Sequence, residues 1–231
     1  MKAPSVAALE VVRAVRRRLR IERDFGRQGW PKHQRPAIAT ALHKAERMAV
    51  VAQEAAACQR CPLYRTRTHV VVGEGSLEAP LVFVGEAPGH DEDVQGRPFV
   101  GRAGQLLTKM IEAMGLAREQ VYIANILKDR PPGNRTPLPE EVASCLPFVQ
   151  TQLAIIQPRV ICALGAVAAR ALLSTEASLG SLRGRFHQYR DIPVMPTYHP
   201  AYLLRNPDAK RVVWEDLKQV RDLLKSVDRS P

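Results

Sequence analysis

Cysteine is scarce in this chain: Cys58, Cys61, Cys145 and Cys162 are the only four in 231 residues. That is too few to staple a chain of this length, so a disulfide scaffold is excluded and metal ligation or burial remains. Long apolar runs are also missing. A membrane helix needs roughly 20 apolar residues, whereas runs such as Val160 to Ala163 end within a few residues at glycine or a charge. A secretory core is absent as well, because Arg13, Arg16, Arg17, Arg18 and Arg20 interrupt the N-terminal segment, which is arginine-rich enough to weigh as a transit peptide. The reading is an intracellular chain without membrane contact. Acidic residues are outnumbered, 23 against 34 Lys and Arg, for a net charge of +11. Most of that excess lies in residues 1–50, so a basic segment is attached to a nearly balanced remainder. Such a segment suits a polyanion, with nucleic acid as the leading candidate and a solvated tail as the alternative.

The apolar pattern gives the architecture. Ala8, Val12, Val15 and Leu19 form a helical stripe behind Ser5, Gly26 to Pro36 reads as a linker, and a second helix runs from near Pro36 toward Cys58. These features divide the chain into a basic extension, residues 1–47, and a larger domain, residues 48–231. From Leu81 onward short apolar runs alternate with helical ones. The predicted strands are Leu81 to Val84, Val121 to Ile126, Val160 to Leu164 and Pro193 to Thr197; helices lie near Ala103 to Met114, Pro139 to Ile156, Ala166 to Leu173 and Asp208 to Leu224. Strands that are apolar throughout are covered on both faces, so the fold class is α/β, a three-layer α/β/α sandwich on a short parallel sheet. No internal repeat is present. Ligands in such folds bind beyond the C-terminal strand ends. There the chain places Gly85 to Asp93, Asn125 to Arg135, Gly165, and Tyr198 to Tyr202, bringing carboxylates, an amide and a histidine to one edge.

Gly85-Glu86-Ala87-Pro88-Gly89 with Glu92-Asp93, Gly96-Arg97-Pro98-Phe99-Val100-Gly101, Asn125, Arg130-Pro131-Pro132-Gly133-Asn134-Arg135 and His199-Pro200-Ala201-Tyr202-Leu203-Leu204 occur in that order. Together they resemble the family 4 uracil-DNA glycosylases, the iron-sulfur branch of the uracil-DNA glycosylase superfamily, over roughly residues 50–225. The resemblance implies a monomeric, nucleoid-associated cytoplasmic enzyme of base excision repair. It would act on single- or double-stranded DNA, hydrolysing the N-glycosidic bond of deoxyuridine and leaving an abasic site. Phe99 would stack on the flipped base, Asn125 would read its O4 and N3–H, and Ala87 and Gly89 would line the pocket. His199 would donate to O2 as charge builds on the leaving ring. Glu86 and Glu92 are the acidic candidates, with Asp93 a weaker third, and the sequence does not separate base from electrostatic stabiliser. Family 1 carries a Tyr where Gly89 stands, so thymine must be excluded by another wall. Tyr202, Leu203, Leu204 and Arg205 resemble the wedge and its backbone contacts, the alternative for the leucines being the buried face of the last helix. Arg130 and Arg135 resemble phosphate contacts.

Cys58 and Cys61 form a C-x2-C pair that, by the same resemblance, joins Cys145 and one further cysteine around a [4Fe-4S] cluster. That further cysteine is absent. Lys128-Asp129-Arg130-Pro131-Pro132 stands where the family has Lys-Cys-Arg-Pro-Pro, so Asp129 takes the fourth place. The cluster is expected to persist with Asp129 as an oxygen ligand, the alternatives being a labile three-iron form or loss. Cys162, inside an apolar strand, reads as a small buried hydrophobe. Competing readings are a non-catalytic nucleic-acid-binding module, a relative acting on another damaged base, and a zinc protein. The superfamily's cross-linking branch is disfavoured because Ala87 stands where it has Gln and its basic insertion is missing.

Overall fold

The structure, a computed structural model, describes residues 35–227, so the amphipathic stripe expected at residues 6–20 lies outside the described residues. The chain divides into a unit of residues 1–43 and a unit of residues 44–231, and the second carries the sheet and the site described below. Helix α1 (Arg35–Ala57) buries Val51 and Ala55. Lys44 on this helix donates to Glu78 and to the carbonyls of Leu77 and Ile156.

Six strands make one sheet: β1 (Glu74–Gly75), β2 (Leu81–Gly85), β3 (Tyr122–Asn125), β4 (Val160–Leu164), β5 (His187–Tyr189) and β6 (Ile192–Thr197). Their order is β1-β3-β2-β4-β6-β5. The inner four pair in parallel, while β1 and β5 close the edges antiparallel. Between them lie α2 (His90–Gln95), α3 (Arg102–Ala113), α4 (Pro139–Ile156), α5 (Ala166–Leu173) and α6 (Leu179–Leu182), and after the last strand come α7 (Pro200–Arg205) and α8 (Ala209–Val227).

The uniformly apolar strands have a simple cause. Successive side chains point to opposite faces of a strand, so Leu81 and Phe83 of β2 enter one core with Leu107 and Ile111 of α3 and Leu217 of α8. Val82 and Val84 enter the other with Val149 and Leu153 of α4 and Ala168 of α5. Both layers are helical, which makes the three-layer sandwich. Register then fixes the site: Gly85 lies opposite Asn125, and Leu164 opposite Thr197, so the inner strands end at one edge. The four predicted strands and the helices named from residue 103 onward are all present to within a few residues. The two edge strands and the short helices α2, α6 and α7 are additional.

Candidate active site

A cleft of about 620 Å³ opens at that edge, lined by Glu86, Ala87, Gly89, Glu92, Phe99, Asn125, Arg135, His199, Tyr202 and Arg205 among others. Every substrate-pocket residue expected from the sequence is therefore in one place. Gly85 makes the floor possible, because a Cβ there would collide with both the Asn125 amide and the Phe99 ring. Phe99 itself is buried at φ 53°, a left-handed conformation that a bulky residue adopts only when its surroundings compel it. Those surroundings are visible. Gly104 of α3 lies so close that a Cβ would overlap the Phe99 carbonyl, and Arg118 donates to Pro98 O at 2.7 Å. On the far side Glu92 accepts from Val100 N and Gly101 N, both at 2.9 Å.

Asn125 ends β3 and is 1% exposed, yet its Oδ1 has no hydrogen-bond partner among the described residues. A buried acceptor left unpaired costs about 1–3 kcal/mol, a cost that a ligand donor would remove. Its backbone is held from below: Lys128 Nζ donates to Asn125 O at 2.8 Å and to Gln152 Oε1 at 2.7 Å, and Gln152 in turn donates to Val72 O and Tyr122 Oη. Burial pulls the Lys128 ammonium down to about 8.

His199 caps α7, its Nδ1 accepting from Ala201 N at 3.1 Å, which leaves Nε2 to carry the proton of the neutral ring. Burial, with the Arg205 charge, pulls the imidazole down to about 4. The ring stands 5.4 Å from that of Phe99, centroid to centroid. Gly165, at φ 94°, passes beneath it, where a Cβ would press on the His199 Cβ.

The two glutamates differ. Glu86 follows β2, its carboxylate is paired with none of the described residues, and burial pushes its pKa up. Glu92 accepts from Gly89 N at 3.1 Å as well as from the two backbone amides beyond Phe99, so its oxygens are committed to the loop. Asp93 is buried away from the cleft, accepting from Thr68 N, Thr68 Oγ1 and His69 N. At the rim, Tyr202 and Leu204 are exposed and Tyr202 stacks on Tyr198, but Leu203 is 1% exposed and belongs to the core. The sequence placed Leu203 among DNA contacts; packing under α7 removes it. Arg135 forms a two-pronged ion pair with Glu141, and Arg130 donates to Asn134 Oδ1 and His90 Nδ1. Cleft-lining residues His90, Arg102, Asn134 and Thr136 were not singled out from the sequence. Their signal was their position, in or just beyond the loops that leave β2 and β3.

The sulfur-bearing corner lies apart from this cleft. Cys61 caps the 3-10 turn Pro62–Arg65, Cys145 sits inside α4 with Lys128 N donating to its Sγ at 3.2 Å, and Cys58 follows α1. Burial raises the Cys61 thiol and lifts that of Cys145 to about 11, with Asp129 adding to both. Three thiols around one carboxylate match the donor types of an iron-sulfur site. The Asp129 carboxylate is held by Arg67, whose Nη1 lies 3.1 Å from its Oδ1 and 3.0 Å from its Oδ2. Among the described residues no group of three or more His, Cys, Asp or Glu is set to hold a single metal ion. Cys162 is fully buried in β4, as its sequence setting indicated.

The family model for the uracil DNA glycosylase superfamily matches residues 72–218. The type-4 uracil-DNA glycosylase of Thermotoga maritima is 47% identical over 184 residues, which covers 78% of this chain and 96% of that one. Those of Sulfurisphaera tokodaii and Saccharolobus solfataricus are 43% and 42% identical, over 75% and 77% of this chain and 83% and 86% of theirs. A cleft whose floor, amide and histidine meet at one sheet edge, in a chain matched along most of its length by these relatives, places the protein in the uracil-DNA glycosylase superfamily and, within it, among the type-4 uracil-DNA glycosylases.

Proposed function

We propose that the cleft excises uracil from DNA, in single or double strands, as the first step of base excision repair. The observation that carries this reading is the unpaired Asn125 Oδ1, buried beside the Phe99 ring and across from His199. An N3–H donor satisfies that oxygen while the amide N–H meets O4; cytosine presents an acceptor and an amine there and fits neither. The flipped ring stacks on Phe99. As the N1–C1′ bond lengthens, negative charge moves onto the uracil ring, and His199 Nε2–H donates to O2 from a neutral imidazole. Glu86 is the carboxylate free to orient water toward C1′, where the water oxygen forms the new bond and uracil departs with the electron pair and takes up a proton. Glu92 acts through the loop it clamps. Its Oε2 also lies 2.7 Å from where a Gly89 side chain would begin, so it fills the wall that a Tyr forms in family 1 and leaves little room for a thymine methyl.

Tyr202, Leu204 and Arg205 form the surface offered to the gap in the duplex, and Arg130 and Arg135 lie where phosphates pass. The chain acts as a monomer, and residues 1–47 add non-specific affinity. The test uses a single-uracil oligonucleotide, alone and paired with G or A. Alkali-labile cleavage at uracil but not at thymine, reduced by Asn125→Ala and by about 10²–10³-fold in His199→Ala, is the expected result. DNA binding without cleavage, from full-length protein supplied with iron and sulfide, would instead favour a binding module.

A further inference from the structure

Arg67 occupies an unusual position in the sulfur-bearing corner. Its guanidinium is 15% exposed and donates to the carbonyls of Ala55, Ala56 and Cys58 as well as to both oxygens of Asp129, which is 6% exposed. One side chain thus ties the end of α1 and the first cysteine to the loop that follows β3. Those are the segments that a cluster ligated by Cys58, Cys61, Cys145 and residue 129 would join. Position 129 carries a carboxylate in place of a thiolate, and both its oxygens face one nitrogen of the buried counter-charge, Arg67 Nη1.

We propose that the Arg67–Asp129 ion pair replaces the fourth iron–ligand bond, so that Asp129 closes this corner mechanically and does not coordinate iron. Carboxylate oxygen is a harder donor than thiolate and a poorer match to cluster iron. To ligate, Asp129 must also turn an oxygen toward iron and weaken the charge-assisted contacts that both its oxygens make with Arg67 Nη1, a mostly buried cation's only carboxylate partner among the described residues. Cys58, Cys61 and Cys145 remain, three thiolates that leave one iron of a four-iron cluster without a protein ligand, and that iron is the one lost first on oxidation to give a three-iron form. The proposal concerns ligation, not turnover, and stands whether or not the cleft releases uracil.

The test reconstitutes full-length protein anaerobically with ferrous iron and sulfide, beside Asp129→Cys, and counts iron while recording the EPR spectrum of the oxidised samples. On oxidation the wild type is expected to lose its unliganded iron, fall to about three irons per chain and show a three-iron EPR signal, whereas Asp129→Cys keeps about four. About four irons kept by the oxidised wild type, or an Asp129→Cys variant that keeps no more than the wild type does, overturns the proposal; should that variant fail to fold, the oxidised wild-type count decides alone. Melting temperature supplies the mechanical half. Arg67→Gln should lower it by several degrees more in the wild-type background than in iron-loaded Asp129→Cys, because there a thiolate bond has taken over the tie. Equal losses in both backgrounds would show that Arg67 serves only the carbonyls.

Discussion

Glu86 lies in the loop after β2 and Glu92 six positions on, in the first turn of α2, and sequence alone could not divide the work between them. Hydrogen bonding does: Glu92 has its oxygens on three backbone amides, while Glu86 faces the cleft without a partner. The Glu86 pKa is raised by burial, so the rate should fall, as pH is lowered, at a higher pH than an ordinary carboxylate would give. That acid limb should disappear in Glu86→Gln and survive in Glu92→Gln. Linkage gives a second readout. A raised folded-state pKa contributes stability below the unfolded value that is lost as pH rises through the folded one, so at neutral pH Glu86→Gln should melt higher than wild type. His199 has the opposite sign: depressed to about 4, it is neutral across the working range. Its stability contribution is present above the unfolded value and is lost as pH falls toward the folded one. The rate profile should carry no inflection near the ordinary histidine value, and one that vanishes in His199→Ala would mean that the charged ring is the donor.

At the scale of elements, legibility followed burial. The four inner strands were readable because both faces of the sheet are covered and their residues are apolar throughout; β1 and β5 were not, because two or three residues such as His187-Gln188-Tyr189 carry no period and take their conformation from a neighbour. Leu203 and Leu204 illustrate the same limit. Adjacent residues on a short helix point in different directions, and only the docking of α7 onto the core decides which is exposed. Phe99 could be placed in a loop from its glycines, but not the contact with Gly104 beneath it. Gly104→Ala should therefore cost about 1–3 kcal/mol, the usual range for overpacking, and lower turnover further than a substitution elsewhere on α3. Normal turnover in a stably folded Gly104→Ala would show that the Phe99 backbone can shift without harm to the pocket.

For the whole molecule, charge is distributed as function would ask. Residues 1–50 hold twelve of the 34 basic side chains, whereas the remaining 181 residues are close to balance, so most of any non-specific hold on DNA should reside in the extension. Deleting residues 1–34, which spares α1 and the Lys44 contacts, should weaken DNA binding and flatten its salt dependence while leaving base choice untouched; an unchanged salt slope would assign the affinity to the cleft rim. The pocket itself draws on many parts of the chain: β2, β3 and β6 end at it, α3 supports its floor, and Glu92 and Arg118 clamp the loop that holds the left-handed Phe99. Because Phe99 is held on both sides, the receptacle is finished before any base arrives, and the work of distortion falls on the nucleic acid. Such a protein behaves as a gauge of how loosely a nucleotide is held by its neighbours: uracil in a single strand should be surrendered fastest, then uracil mispaired with guanine, and last uracil paired with adenine.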